Sequence, residues 1–236
     1  MQKSGTATWV SGLSLRQAAL IAGLAYLLNP VTFAETYAMP HLFVSDAGQT
    51  ITNLAAHPHL FVAAMLSYFF SLVGDIILAW SLYVLLAPVN RALSMLAAWL
   101  QIIYAAISIA AVSNLGLLYR LLMIPDYSEK ISPSTLTTQG TLLLGVFRSG
   151  WGLGLILFGL HLVVLGWLIT RSTYLPRWLG WLLFLDGWAW VVDSLSIYLF
   201  PKANLDLLHV LFASELIFMI WLLGWGWRIS EPAGAE

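Results

Sequence analysis

Of 236 residues, 60% are hydrophobic and 9% are charged, and the net charge is −1. A soluble domain carries about 25% charged residues, so with a mean hydropathy of +0.86 the chain lacks the polar surface that a water-soluble globule of its length needs. It also lacks the basic patch of a nucleic-acid binder, and having no Cys it forms no disulfide, thiolate metal site, iron–sulfur cluster or Cys nucleophile.

Six stretches are long and apolar enough to cross a bilayer, for which about 20 residues suffice. The first covers 16–38 and is interrupted by Asn29-Pro30. A connection over 40–58 carries His41, Asp46, His57 and His59 and reads as a loop. The second stretch covers 60–87 and stops at Pro88, which cannot continue a helix. The third covers 91–124, too long for the hydrocarbon layer at about 1.5 Å per residue, so it must tilt, project beyond the membrane, or break near Asn114 and Gly116. A polar connection over 125–139, with Asp126, Glu129 and Lys130, again reads as a loop. The fourth stretch covers 141–170, with a partial seventh segment around 136–147 as an alternative. The fifth covers 177–200 between Pro176 and Pro201, and the sixth covers 205–227.

The expectation is an all-α integral membrane protein, a bundle of six transmembrane helices with seven as the alternative, forming one domain over 1–236. The first stretch does not read as a cleaved signal peptide, because Asn29-Pro30 breaks its apolar core. With six spans, one side holds Lys3, Arg16, Arg91, Arg171, Arg177 and Arg228. The other holds Arg120, Lys130 and Lys202, with Arg148 in or at the edge of the fourth span. The positive-inside rule then puts both termini in the cytoplasm, and the expected location is a bacterial cytoplasmic (inner) membrane.

Several helices repeat small or polar residues on one face. Gly145, Gly152, Gly159 and Gly166 recur every seven residues, as do Ser94, Gln101 and Ser108, and Asp186 and Asp193; Ser67, Ser71 and Asp75 recur every four. Seven residues make nearly two turns, so each set is a stripe. Small residues let backbones approach in lipid, and the glycine stripe is read as a packing seam. Acids are not needed for packing and require another account.

Glu35, Asp75, Arg148, His161, Asp186, Asp193, His209 and Glu215 fall within the expected spans, with Asp75, His161, Asp186 and Glu215 nearest the midplane. A charge at the bilayer centre costs about 2.5–3.5 kcal/mol on insertion scales, so these groups must be protonated, paired or facing water. Arg148, the one cation well inside a span, is the natural partner of Glu35, Asp193 or Glu215. The expected site is one polar cavity lined by Glu35, Asp75, Arg148, His161 and Glu215, with Asp186, Asp193 and His209 as secondary candidates; several separate pairs, each pinning two helices, is the plainer alternative. Arg148 and His161 lie about 140° apart around an ideal helix, so they face different neighbours.

Phe33-Ala34-Glu35, Ala87-Pro88-Val89-Asn90-Arg91, Phe158-Gly159-Leu160-His161, Tyr174-Leu175-Pro176-Arg177-Trp178-Leu179-Gly180, and Glu215 with Trp221-Leu222-Leu223 resemble the bacterial family called domain of unknown function 4386. The resemblance covers most of the chain and implies a multi-pass membrane protein of similar length. It carries no activity, cofactor or site residue to transfer. Phe147-Arg148-Ser149-Gly150 is particular to this chain, and Asp186 stands in a stretch that is usually more apolar in the family.

Function is therefore expected from the interior: binding of a small molecule, ion or lipid, with transport as one form of it. An accessory or assembly subunit beside a partner membrane subunit is a second reading. A third is an intramembrane metal-dependent or redox enzyme, for which His161, Asp75 and Glu215 are the ligands to consider; no HExxH or GxSxG pattern accompanies them. Haem shared by His161 and His209 is disfavoured by their different depths. A retinal Schiff base lacks a Lys inside a span.

Overall fold

The computed structural model describes residues 12–27, 29, 33–44, 46–128, 130–199 and 206–229. Among them, every regular element is a helix. In chain order these are α1 (Leu15–Leu27), a π-helical turn (Ala34–Ala38) running into α2 (Met39–Leu42), α3 (Ala47–Ala56), α4 (Pro58–Leu86), α5 (Arg91–Met123), α6 (Pro125–Ser128), α7 (Pro133–Arg171), α8 (Arg177–Leu199), a 3-10 segment (Asp206–Phe212), α9 (Ala213–Trp225) and a closing 3-10 turn (Gly226–Arg228). Five stretches of the described residues are long and apolar enough to cross a membrane: α4, α5, α7, α8 and Val210–Arg228. Exposed Phe70, Trp80, Trp99, Leu185, Ile197 and Ile220 give these helices the apolar exterior that lipid requires. The chain is an all-α multi-pass membrane protein.

Several boundaries differ from the sequence expectation. The first span is not one helix: α1 ends at Leu27, ahead of Asn29-Pro30, and helix resumes with the wide turn at Ala34–Ala38. Residues 40–58 are not a loop, because Asp46 caps α3 by accepting from the Gln49 N–H at 2.6 Å. The 125–139 connection also shrinks, since α6 occupies part of it and α7 starts at Pro133, a residue suited to a first helical turn. The partial seventh segment around 136–147 is the front of α7, which runs unbroken for 39 residues. Nor does α5 break at Asn114: that amide donates to the Ala110 and Ala111 carbonyls at 3.1 and 3.2 Å and the helix continues.

The helices gather into two compact units. The first draws on Met1–Leu27, Ile76–Gln101 and Phe158–Glu236, the second on Leu28–Asp75 and Ile102–Leu157. In the first unit, the Pro88 turn ends α4, and Asn90 caps α5 by accepting from the Leu93 N–H at 3.0 Å. Ser94 ties α5 to the Tyr83 carbonyl at 2.9 Å, and the Tyr174 hydroxyl donates to the Leu85 carbonyl at 2.5 Å. The family-like stretches over 87–91 and 174–180 are thus turns of the same unit. Small residues on α1 meet α9, where a methyl group on Gly23 would come 2.8 Å from the Leu223 side chain, and Arg16 donates to the Ile229 carbonyl at 2.8 Å.

The α7–α8 seam is built on two glycine pairs running in opposite directions. A methyl group on Gly159 would come 2.6 Å from the Gly187 carbonyl oxygen, and one on Gly166 would come 2.6 Å from the Gly180 carbonyl oxygen. Backbones this close need glycine on both sides. In the second unit α7 meets α5 in the same manner, Gly150 against Ala111 and Gly154 against Ser108 and Tyr104.

Candidate functional site

The five residues expected to share a cavity fall in both units: Glu35, Asp75 and Arg148 belong to the second, His161 and Glu215 to the first. Glu35 sits in the π-helical turn, a geometry frequent at functional sites. Its carboxylate accepts from the Tyr68 hydroxyl at 2.5 Å. Arg148 is exposed, and its guanidinium stands 5.6 Å from the centre of the Phe43 ring. Asp75 is buried with Ser67 and Ser71 on one face of α4, and Glu215 is half-buried; each of the two acids has an interaction partner, as does the half-buried Asp193. The side chain of His209 lies outside the described residues.

Tyr68 was not singled out by the sequence. It is 1% exposed, and its ring packs edge-on against Trp151 at 4.8 Å and Phe147 at 5.6 Å. Arg148 and His161 do face different surroundings, as their angular offset requires.

The first unit holds a concentration of unsatisfied polar atoms. His161 on α7 is 1% exposed; its Nδ1 lies 2.8 Å from the Ala97 carbonyl oxygen of α5. A carbonyl only accepts, so Nδ1 carries the hydrogen, and in the neutral ring Nε2 is an acceptor. That Nε2 is buried without a hydrogen-bond partner. One turn beyond Ala97, Gln101 is fully buried, and neither its amide nitrogen nor its oxygen is bonded. On α8, Asp186 is fully buried; one oxygen accepts from the Ser214 hydroxyl of α9 and the other is unbonded. Trp190 Nε1 and Ser194 Oγ, one and two turns further along α8, are likewise buried and unbonded. Phe158 links the helices, its ring 6.3 Å from His161 and 5.8 Å from Trp190, which stacks on Phe212 at 3.7 Å.

Depth unites three of these residues, Gln101, His161 and Asp186, while Trp190 and Ser194 lie one and two turns further along α8. Gln101 lies ten residues from Arg91, His161 ten from Arg171 and Asp186 nine from Arg177. At the helical rise these are about 13–15 Å from helix ends that carry arginine, half of the roughly 30 Å hydrocarbon layer. Gln101, His161 and Asp186 thus lie at similar distances from arginine-bearing helix ends, on three helices of one unit. Each unbonded polar atom in an apolar setting costs about 1–3 kcal/mol when left unmet. The acceptors are Nε2 of His161, Oδ1 of Asp186 and the Gln101 carbonyl; the donors are the Gln101 amide and the Trp190 indole, and Ser194 can serve as either. Among the described residues, no three His, Asp or Glu side chains converge as a metal site.

Long apolar helices that enclose buried polar side chains define a polytopic membrane protein. The chain belongs to the family described as domain of unknown function (DUF4386), whose model matches residues 21–226. A relative from Archaeoglobus fulgidus, described as an uncharacterized protein, is 32% identical over 170 residues, covering 72% of this chain and 88% of the relative. No solved structure matches this chain.

Proposed function

We propose that this protein binds a small polar solute at the membrane midplane through Gln101, His161, Asp186 and Trp190, and that transport across a prokaryotic cytoplasmic membrane is the process this serves. Both termini face the cytoplasm in this reading, in line with the distribution of Lys and Arg. The observation that carries it is the set of buried, unbonded donors and acceptors on three helices of one unit. Lipid offers no water to satisfy such groups, so their partner is an interior water or an entering solute, or their cost is borne. A mixture of donors and acceptors suits a neutral or zwitterionic solute better than a bare ion. Mid-membrane placement is the usual arrangement of transporter sites.

The test uses purified full-length protein in nanodiscs and a thermal-shift panel of amino acids, sugars, nucleosides and polyamines. A ligand at a hundred times its Kd stabilises by about 2.7 kcal/mol. At least one panel compound is expected to raise the Tm of the wild type, with the shift lost in Gln101→Leu. If no compound shifts the wild type while Gln101→Leu and His161→Phe each raise the Tm, the polar atoms are packing defects and the reading fails.

A second reading, a subunit that docks on a partner in the membrane, is favoured by one surface. Thr138, Thr141, Gly145 and Ser149 make an exposed small-residue face on α7, and nothing lies within 4 Å of where a Cβ on Gly145 or Gly152 would stand. Co-purification of a second membrane protein in mild detergent tests it.

A further inference from the structure

A cleft in the second unit, distinct from the midplane site, opens between the last turns of α5 and the first third of α7, beside α6. Leu117, Leu121, Leu142 and Leu143 wall it, Arg120, Gln139 and Tyr127 line it with polar atoms, and its volume is about 600 Å³. Ligand pockets commonly measure about 300–1,000 Å³ and combine apolar walls with a few placed polar groups. Leu117 and Leu142 are 54% and 67% exposed, so the apolar wall lies open to its surroundings. The Arg120 guanidinium stands 6.0 Å from the centre of the Tyr127 ring, which orients the cation without neutralising it.

Position along the helix indicates what meets this cleft. Arg120 follows Arg91 by 29 residues on the unbroken α5, about 43 Å of rise. The hydrocarbon layer is about 30 Å thick, and about 40–45 Å with headgroups. The leucines therefore stand past the far edge of the hydrocarbon layer, at or beyond headgroup depth; exposed apolar surface is costly there, and a guanidinium stands beside them. A molecule with an apolar chain and an anionic head satisfies both.

We infer that this cleft binds an anionic amphiphile, its carboxylate or phosphate held by Arg120 and the Gln139 amide and its chain laid along Leu117, Leu121, Leu142 and Leu143. None of these residues belongs to the midplane site, so either proposal can fail without the other. The chemistry is shared by a bilayer phospholipid and a free fatty acid, and the assay separates them. Delipidated full-length protein in neutral detergent is titrated with phosphatidylglycerol, phosphatidylcholine or palmitate, and bound adducts are counted by native mass spectrometry. Phosphatidylglycerol or palmitate is expected to bind one site at least about tenfold tighter than phosphatidylcholine, and whichever does so identifies the source. Arg120→Gln is expected to weaken that binding about tenfold, and Leu117→Trp, a substitution on the exposed wall that leaves the buried core intact, to block the chain. Arg228→Gln, on the closing 3-10 turn, serves as the control and leaves binding unchanged. Equal affinity for phosphatidylcholine, or equal weakening by Arg120→Gln and Arg228→Gln, overturns the inference.

Discussion

Two carboxylates in this protein are held by hydroxyl groups rather than by cations. Glu35 accepts from Tyr68 in the second unit, and Asp186 accepts from Ser214 in the first. Removing a donor from a buried acceptor exposes its desolvation cost, about 1–3 kcal/mol. Ser214→Ala leaves both oxygens of a fully buried carboxyl group unbonded and belongs at the upper end of that range. Tyr68→Phe belongs at the lower end, because Glu35 is itself exposed. Thermal melts in detergent are expected to rank Ser214→Ala below Tyr68→Phe, and Tyr68→Phe below the wild type; the reverse order would mean that Asp186 finds another donor. The ionisable residues of the site were legible in the sequence, since an acid in an apolar stretch stands out. Their partners were not. Tyr68 and Ser214 are ordinary residues of apolar helices, 33 and 28 positions away from the acids they serve, and no local pattern marks them. Trp190 and Ser194 were closer to hand: with Asp186 they recur every four residues along one face, a signal hidden by the sevenfold spacing of Asp186 and Asp193.

At the scale of elements, one glycine stripe has two different environments. Gly159 and Gly166 lie against the α8 backbone, whereas a side chain on Gly145 or Gly152 would meet nothing. Gly159→Ala and Gly166→Ala must push helices apart, and overpacking of this kind costs about 1–3 kcal/mol. Gly145→Ala and Gly152→Ala meet no such obstacle and gain helix propensity, up to about 1 kcal/mol. Unfolding of the four single variants in one detergent is expected to divide them two and two; a uniform loss would mean that α7 is covered along its whole length. Periodicity alone identifies a stripe and its helix but not which turns are occupied, because that depends on how far the neighbouring helix extends. The same limit applies to α3. Its residues are polar enough to read as a loop, and what makes them helical is the Asp46 cap together with Ile51 and Leu54 buried inside the unit. Asp46→Ala is expected to cost about 1 kcal/mol and to speed amide exchange over Ala47–Ala56 before any other segment responds.

At the scale of the whole molecule, helix length fixes what the membrane can hide. α5 and α7 have 33 and 39 residues, about 50 and 58 Å at the helical rise, against about 30 Å of hydrocarbon. A tilt of about 20°, the average for such helices, shortens their reach by only a few ångströms. Both must therefore emerge from the layer. If Arg91 and Arg171 stand at one interface, the ends at Met123 and Pro133 emerge from the other. The sequence left tilt, projection and breakage open for the third span; an unbroken α5 removes breakage, and α7, longer still, adds weight to projection. With no Cys in the chain, single introduced cysteines report sidedness without background. In cells treated with a membrane-impermeant maleimide, Cys at Thr173 or Asn90 is expected to stay unlabelled until the membrane is opened. Cys at Thr137 or Lys130 is expected to react in intact cells, since Lys130 lies past the end of α5 and Thr137 in the emerging first turns of α7. The inverse pattern would reverse the orientation assigned from the arginines and leave the crossing itself intact. Labelling of Asn90 and Lys130 from the same side would deny that α5 crosses at all, and the midplane depth shared by Gln101, His161 and Asp186 would fall with it.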